Sequence, residues 1–292
     1  MFFRFVLIVM ILIPVPGMSQ VLDTMYFDRN WEQISQAEAH YYRYISIDTT
    51  SEIRFYVEDY YPGGIIQMTG TYKSIRPDNK DGRFVYWYED GKKQMECNYR
   101  DNVLHGLLRE WYASGQEESY QEFRGGLLDG EYISWRKDGS MKLKARYHKG
   151  DKHGNFQSFY PNGQMTRDDF YENGHFIEGH CYSPEGDPIK FFPYVLMPSF
   201  PGGQKELISF IEKEIKYPQE GKKRGVEGLV IILFTIDEKG FVQEPRIVNG
   251  DRDYFNEEAL RVAREFPRWI PGEVDGIPSP IQVTVPIEFR LR

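Results

Sequence analysis

The side chains that usually carry chemistry are present in this chain, but their spacing does not suit them to it. His148, His153, His175 and His180 lie close in sequence, yet their separations fit no metal-ligand pattern. The carboxylates are scattered through turn segments, where solvation accounts for them. No phosphate loop, nucleophile elbow, zinc spacing or glycine-rich dinucleotide turn occurs. Neither catalysis nor a cofactor is expected. What remains is the chemistry of the backbone. The last segment, PIQVTVPIEFRLR (280–292), alternates strictly, with Ile281, Val283, Val285, Ile287, Phe289 and Leu291 facing one way. Gln282, Thr284, Pro286, Glu288 and Arg290 face the other, as in a strand buried on one side. Proline offers no N–H to a ladder and is tolerated mainly at a sheet margin. Pro286 therefore predicts an edge strand over 281–289. If Pro286 turns outward, the amides of Gln282, Thr284 and Glu288 do too, ready to bond an added strand.

The elements that must hold this strand precede it. QKELISFIEKEIKY (204–217) places Leu207, Ile211 and Ile215 on one helical face with Ile208 alongside, and Tyr217-Pro218 stops it. VEGLVIILFTI (226–236), the turn DEKG and FVQEPRIV (241–248) read as a hairpin. Asn256 is placed to cap a second helix whose buried face is Phe255, Ala259, Val262 and Phe266, ended by Pro267. The expected order is helix, strand, strand, helix, strand. The stretch LVIILF is apolar on both faces, which would suit pairing with a second copy.

Upstream, four segments share one frame: GRFVYWYEDG, GLLREWYASG, GEYISWRKDG and GNFQSFYPNG begin 24 residues apart, at Gly82, Gly106, Gly130 and Gly154. Trp87, Trp111, Trp135 and Phe159 keep the period, as do Tyr99, Phe123, Tyr147 and Tyr171. Short aromatic segments around Gly turns predict β-hairpins, with second turns near HG (105–106, 153–154) or DG (81–82, 129–130). A hairpin cannot bury a face alone, so the units stack into one sheet with the Trp positions as its aromatic spine. Residues 171–187 read as a contracted last unit, and a longer early unit precedes Gly82. The organisation expected is a preamble (20–54), a repeat stack (55–190), an ordered Pro- and aromatic-rich linker (191–203) and a C-terminal domain (204–292).

At 292 residues there is room for about two domains. The formal charge of −8 argues against a nucleic-acid partner; the local basic face of Lys142, Lys144 and Arg146 reads as solvated. Arg4, an apolar run to Ile13, Pro14, Pro16 and the small residues Gly17-Met18-Ser19 predict a cleaved signal over 1–19. Cys97 and Cys181 lie too many strands apart to bridge and are expected as buried thiols.

The repeat segment, about 55–187, resembles bacterial MORN-type repeats through its glycine-aromatic-glycine frame. The C-terminal segment, about 197–292, resembles the C-terminal domain of TonB-family proteins. That resemblance rests on Tyr217-Pro218, Gly228, Asp237 with Gly240, Ala259, Trp269-Ile270-Pro271-Gly272, and Pro286 with Phe289; Gly221 stands where the family usually has alanine. It implies a mainly β chain ending in a small α+β domain with a three-stranded antiparallel sheet. It also implies a periplasmic or envelope protein that grips the N-terminal box of an outer-membrane receptor as an added strand, in support of transmembrane transport. Trp269 and Gly272 then serve as core and turn residues. Two alternatives stand beside this. One is an energy transducer kept at the inner membrane by an uncleaved leader, although the short apolar run and the lack of a Pro-rich spacer depart from that pattern. The other is a homo-oligomeric scaffold. The intact mass of protein from its native envelope tests the leader: a chain beginning at Gln20 is expected, and retention of Met1 would favour the anchored transducer.

Overall fold

The computed structural model describes residues 20–49, 52–76, 78–250 and 252–291, so the expected leader lies outside the described residues. The chain divides into two units, Met1–Lys190 and Phe191–Arg292. No helix among the described residues is long and apolar enough to cross a membrane.

The first unit is one fourteen-stranded antiparallel sheet in which every strand pairs with its neighbour in sequence. Its strands are β1 (Gln20–Phe27), β2 (Tyr41–Asp48), β3 (Arg54–Tyr60), β4 (Ile66–Ile75), β5 (Asp78–Trp87), β6 (Lys93–Arg100) and β7 (Val103–Trp111). They continue with β8 (Glu117–Arg124), β9 (Leu127–Trp135), β10 (Met141–His148), β11 (Asp151–Phe159), β12 (Met165–Glu172), β13 (His175–Tyr182) and β14 (Pro188–Ile189). The turns EDGK, ASGQ, KDGS and PNGQ join strands as anticipated. In each, the last residue of the four-residue reverse turn is a glycine at positive φ: Gly91, Gly115, Gly139 and Gly163, at 80° to 93°. Its N–H donates to the carbonyl three residues back, as Gly115 does to Tyr112 at 2.7 Å.

The second set of turns is not where the sequence placed it. The HG and DG glycines, Gly82, Gly106, Gly130 and Gly154, lie inside strands. The chain reverses instead at Asp101-Asn102, Gly125-Gly126, Lys149-Gly150 and Asn173-Gly174, where both central residues have positive φ. That is the two-residue turn whose twist matches the flanking strands. Asparagine, aspartate and one lysine share these places with glycine, so the period there is conformational and no single residue type marks it.

The spine also differs from expectation. Trp87, Trp111, Trp135 and Phe159 are only half-buried. The core runs three residues earlier in the frame, through Phe84 and Leu108 with Ile45, Val57, Met68, Tyr72 and Cys97, flanked by Tyr99 and Phe123. The ring at the first of these positions meets the later one edge-on: Phe84 with Tyr99 at 5.1 Å, Tyr132 with Tyr147 at 6.2 Å, Phe156 with Tyr171 at 5.9 Å. Side chains alternate across a strand, so Phe84 and Trp87 are directed to opposite faces. Cys97 on β6 and Cys181 on β13 are both buried. Polar residues are buried as well, with Asp59, Ser119, Ser134, Ser158, Thr166, Arg167 and Asp169 withdrawn from solvent alongside the apolar Ala145 and Phe156.

Two ladders of hydrogen bonds tie each repeat to the next. The hydroxyls of Tyr61, Tyr88 and Tyr112 donate to the carbonyls of Trp87, Trp111 and Trp135 at 2.9, 2.7 and 2.9 Å. Arg136 replaces tyrosine in the next unit and its guanidinium donates to the Phe159 carbonyl, after which Tyr160 donates to Tyr182. At the opposite ends of the strands, the turn amides of Asn102, Gly126, Gly150 and Gly174 donate to Lys80, Leu104, Leu128 and Lys152 of the preceding repeat, at 2.7 to 2.9 Å.

In the second unit the segment 191–203 takes part in packing. It contributes β15 (Val195–Leu196) and buried Phe200. There follow α1 (Gln204–Glu214), α2 (Gln219–Arg224), β16 (Gly228–Ile236), β17 (Val242–Asn249), α3 (Asp253–Arg264), the short pair β18 (Glu273–Val274) and β19 (Ile277–Pro278), and β20 (Ile281–Phe289). One three-stranded sheet has the order β17-β16-β20, and β15, β18 and β19 form a second. The helix α2 and this small sheet were not anticipated. Asn256 does not cap α3: Arg252 stands at the cap, and Asn256, inside the first turn, donates to the Gly250 carbonyl at 3.3 Å. Phe255, Ala259 and Val262 are buried as expected, with Ala263 beside them. Ile208 points away from the core at 51% exposure, and Phe210 takes the inward place.

Tyr112→Phe should lower stability by about 1 kcal/mol through its lost hydroxyl bond, read from the urea midpoint. Trp111→Ala should cost about 1–2 kcal/mol, less than the 3–5 of a fully buried aromatic; a larger loss would return the ring to the core. Arg83, at 2.7 Å, and then Lys93 hold the Glu96 carboxyl down to about 2, against a partial desolvation that opposes them. A depressed carboxylate stabilises the fold above its unfolded value. The stability gap between wild type and Glu96→Gln should therefore be complete at neutral pH and vanish as pH falls from 4.5 towards about 2.

Candidate site at the open edge of the C-terminal sheet

The central strand β16 pairs on one side with β17 and on the other with β20, from Gly228 opposite Phe289 to Ile236 opposite Ile281. Among the described residues β20 has no neighbour in its sheet beyond β16 and is an edge. Its side chains alternate: Val285, Ile287 and Phe289 are buried, while Gln282, Thr284, Pro286 and Glu288 are exposed. Pro286 stands opposite Ile231, Thr284 opposite Leu233 and Gln282 opposite Thr235. The outward-facing side of this sheet therefore carries both the polar row of β20 and the apolar row Leu229, Ile231 and Leu233 of β16, since directly paired residues share a face.

The residues singled out in the sequence mostly build the frame behind this edge. Trp269 is 4% exposed and meets Phe200, Phe234 and Phe266 with centroids 5.4 to 5.9 Å away. Its amide donates to Gly240 at 2.8 Å, and a Cβ on Gly240 would lie 2.1 Å from the Trp269 carbonyl oxygen. Only glycine fits there, and its φ of 89° suits glycine as well. Gly272 is similarly crowded: a Cβ would meet Ile281 and the Leu196 carbonyl at 2.7 Å. Pro271 sits half-buried between these two constraints. Phe289 stacks on Phe255 at 4.3 Å, and Gly228 leaves room for that same Phe255 ring. Tyr217 packs edge-on against both rings, and its hydroxyl donates to the Val226 carbonyl. Pro218 is the residue before α2, which ends in left-handed Gly225. That Pro-to-Gly spacing was the available signal for the helix that sequence reading missed.

Beside β20 lies an open groove of ≈ 680 Å³ that the sequence offered no means of seeing. One wall is built by α1 and the residues just after it, with Ile208, Ile211, Glu212, Ile215 and Tyr217; Lys222 of α2 joins them. The other is the end of β20 and its continuation, Pro286, Glu288, Phe289, Arg290 and Leu291. Glu288 and Arg290 pair at 2.7 Å.

The remaining chemical candidates belong to the first unit. His148 approaches Asp129 at 3.1 Å within the repeat sheet. Among the described residues no group of three or more His, Cys, Asp or Glu is arranged to hold a metal. Lys142, Lys144 and Arg146 are exposed on β10.

An antiparallel three-stranded sheet with an open outer strand, preceded by a hairpin array, sets the class of the chain, and comparison with known families gives the particulars. Residues 213–291 match the family described as Gram-negative bacterial TonB protein C-terminal. Residues 80–101 and 152–173 match the MORN repeat variant. The chain thus joins MORN-type repeats to a TonB-type C-terminal domain. Neither is an enzymatic family. Among solved structures it is similar to the solution structure of the TonB C-terminal domain of Helicobacter pylori, at 27% identity over 32% of this chain and 87% of that one, with a TM-score of 0.25. No curated protein matches.

Proposed function

We propose that this is an envelope protein with a TonB-type role in transmembrane transport, whose C-terminal domain binds an extended segment of an outer-membrane receptor by adding it as a strand to β20. The observation that carries this reading is the edge itself: β20 is nine residues long, alternates cleanly, and is paired on one side only among the described residues. Such a strand presents a row of backbone donors and acceptors that an extended peptide satisfies, with side-chain pockets supplying selectivity. Pro286 interrupts that row once, which hinders indiscriminate pairing between copies without closing the strand. On this reading the outward amides are those of Gln282, Thr284 and Glu288, and they hold the added strand through the backbone. The frame residues Tyr217, Pro218, Gly228, Trp269, Pro271, Gly272 and Phe289 act by fixing β20 in place. The repeat sheet acts as spacer and scaffold.

The test is Thr284→Pro, which removes a second outward donor at an exposed position. A fluorescent peptide from the N-terminal box of a TonB-dependent receptor should lose binding by at least roughly tenfold, while circular dichroism of the variant stays unchanged. Undiminished affinity would remove β20 as the docking strand.

A further inference from the structure

The helix α1 has several apolar residues and not one that is fully buried. Leu207, Phe210, Ile211 and Ile215 reach the core in part, and Ile208 is 51% exposed. A helix packed on a sheet ordinarily loses its apolar stripe to the layer beneath. Here the sheet ends at β20, and the groove between α1 and that edge remains unfilled. A strand added to β20 would direct every second side chain to the same face as Val285, Ile287 and Phe289, and so towards these isoleucines. The charges along the groove are not equivalent. Glu288 is engaged by Arg290 at 2.7 Å, and Glu212 has a partner of its own. On α2, Arg224 is held by Glu220 at 2.7 Å. Lys222, exposed at the rim, has no carboxylate within ion-pair distance among the described residues.

Resting on the assignment of β20 as the docking strand, we propose that this groove is the selectivity pocket of the site. It accepts an apolar side chain of the added peptide among Ile208, Ile211, Ile215 and Leu291, and a neighbouring peptide carboxylate at Lys222. The partner is thus an acidic, apolar-alternating extended segment. Apolar burial holds the anchor and the ion pair fixes which residue enters.

The experiment pans a library of short randomised peptides on the full chain, discarding those that also bind Thr284→Pro. The surviving peptides should share an aliphatic residue at fixed spacing from Asp or Glu. Ile208→Asp, at a 51% exposed position, and Lys222→Glu should each weaken the selected peptide by roughly tenfold while circular dichroism stays unchanged. A peptide with its acid changed to lysine should regain affinity for Lys222→Glu alone. Peptides that depend on Thr284 but show no shared anchor, and that bind both groove variants as well as wild type, would overturn the pocket and leave strand addition standing. A library that yields no Thr284-dependent binder would overturn strand addition, and the pocket with it.

Discussion

Every strand laid onto a sheet satisfies the backbone groups on its inner side and exposes those on its outer side until another strand arrives. That constraint organises both halves of this chain, with opposite outcomes. In the repeat array each hairpin meets the next in sequence order, fourteen strands long, so the exposed edge is handed on along the sheet. In the C-terminal domain the sheet has three strands, and β20 meets none of the described residues' strands on its far side. Backbone groups that the inner strands of the first unit spend on their neighbours are kept available along β20 in the second.

The two units also differ in what makes the sheet stable. The C-terminal domain has a conventional core, with Ile232, Phe234, Ile236, Ile287 and Phe289 all at or below 1% exposure under α3 and the Trp269 cluster. The repeat array relies more on bonds that recur with the period. Its apolar cluster is concentrated in the first strands, and further along Ala145, Phe156 and Cys181 are buried among serines and the Arg167–Asp169 pair, 3.3 Å apart and 0% and 1% exposed. Replacing one member of a buried ion pair is costly because the other charge remains. The array therefore mixes apolar and polar burial, from the Arg43–Asp59 pair at one end to Phe156 and Cys181 near the other, while its inter-repeat hydrogen bonds recur.

Much of this was legible in the residues, and the failures have physical causes. The hairpin turns with glycine at the left-handed position were readable because few other residues adopt that conformation cheaply. The two-residue turns were not, because Asp101-Asn102 and Lys149-Gly150 look unlike each other while sharing a backbone shape. Trp111 reads as core in the sequence because it is large and periodic; size does not reveal which face a side chain occupies, and it lies an odd number of residues from the core position Leu108. The strict alternation of 281–289 and the proline within it were enough to locate an edge strand. The groove beside it was invisible in the sequence, since it depends on Ile208 and Leu291, far apart in the chain, facing a common space.

The ladder of side-chain bonds along the array has a consequence for how such proteins change size. Each donor at Tyr88, Tyr112, Arg136 or Tyr160 finds its acceptor at an equivalent place in the following unit, whatever the identity of that unit. Donor and acceptor thus recur in step with the unit, and both ladders depend on the same spacing. The substitution of arginine for tyrosine at position 136 shows that the joint requires reach and a donor hydrogen and tolerates a change of functional group. The array therefore grows by whole divisions, each joined to the next by the same two kinds of bond.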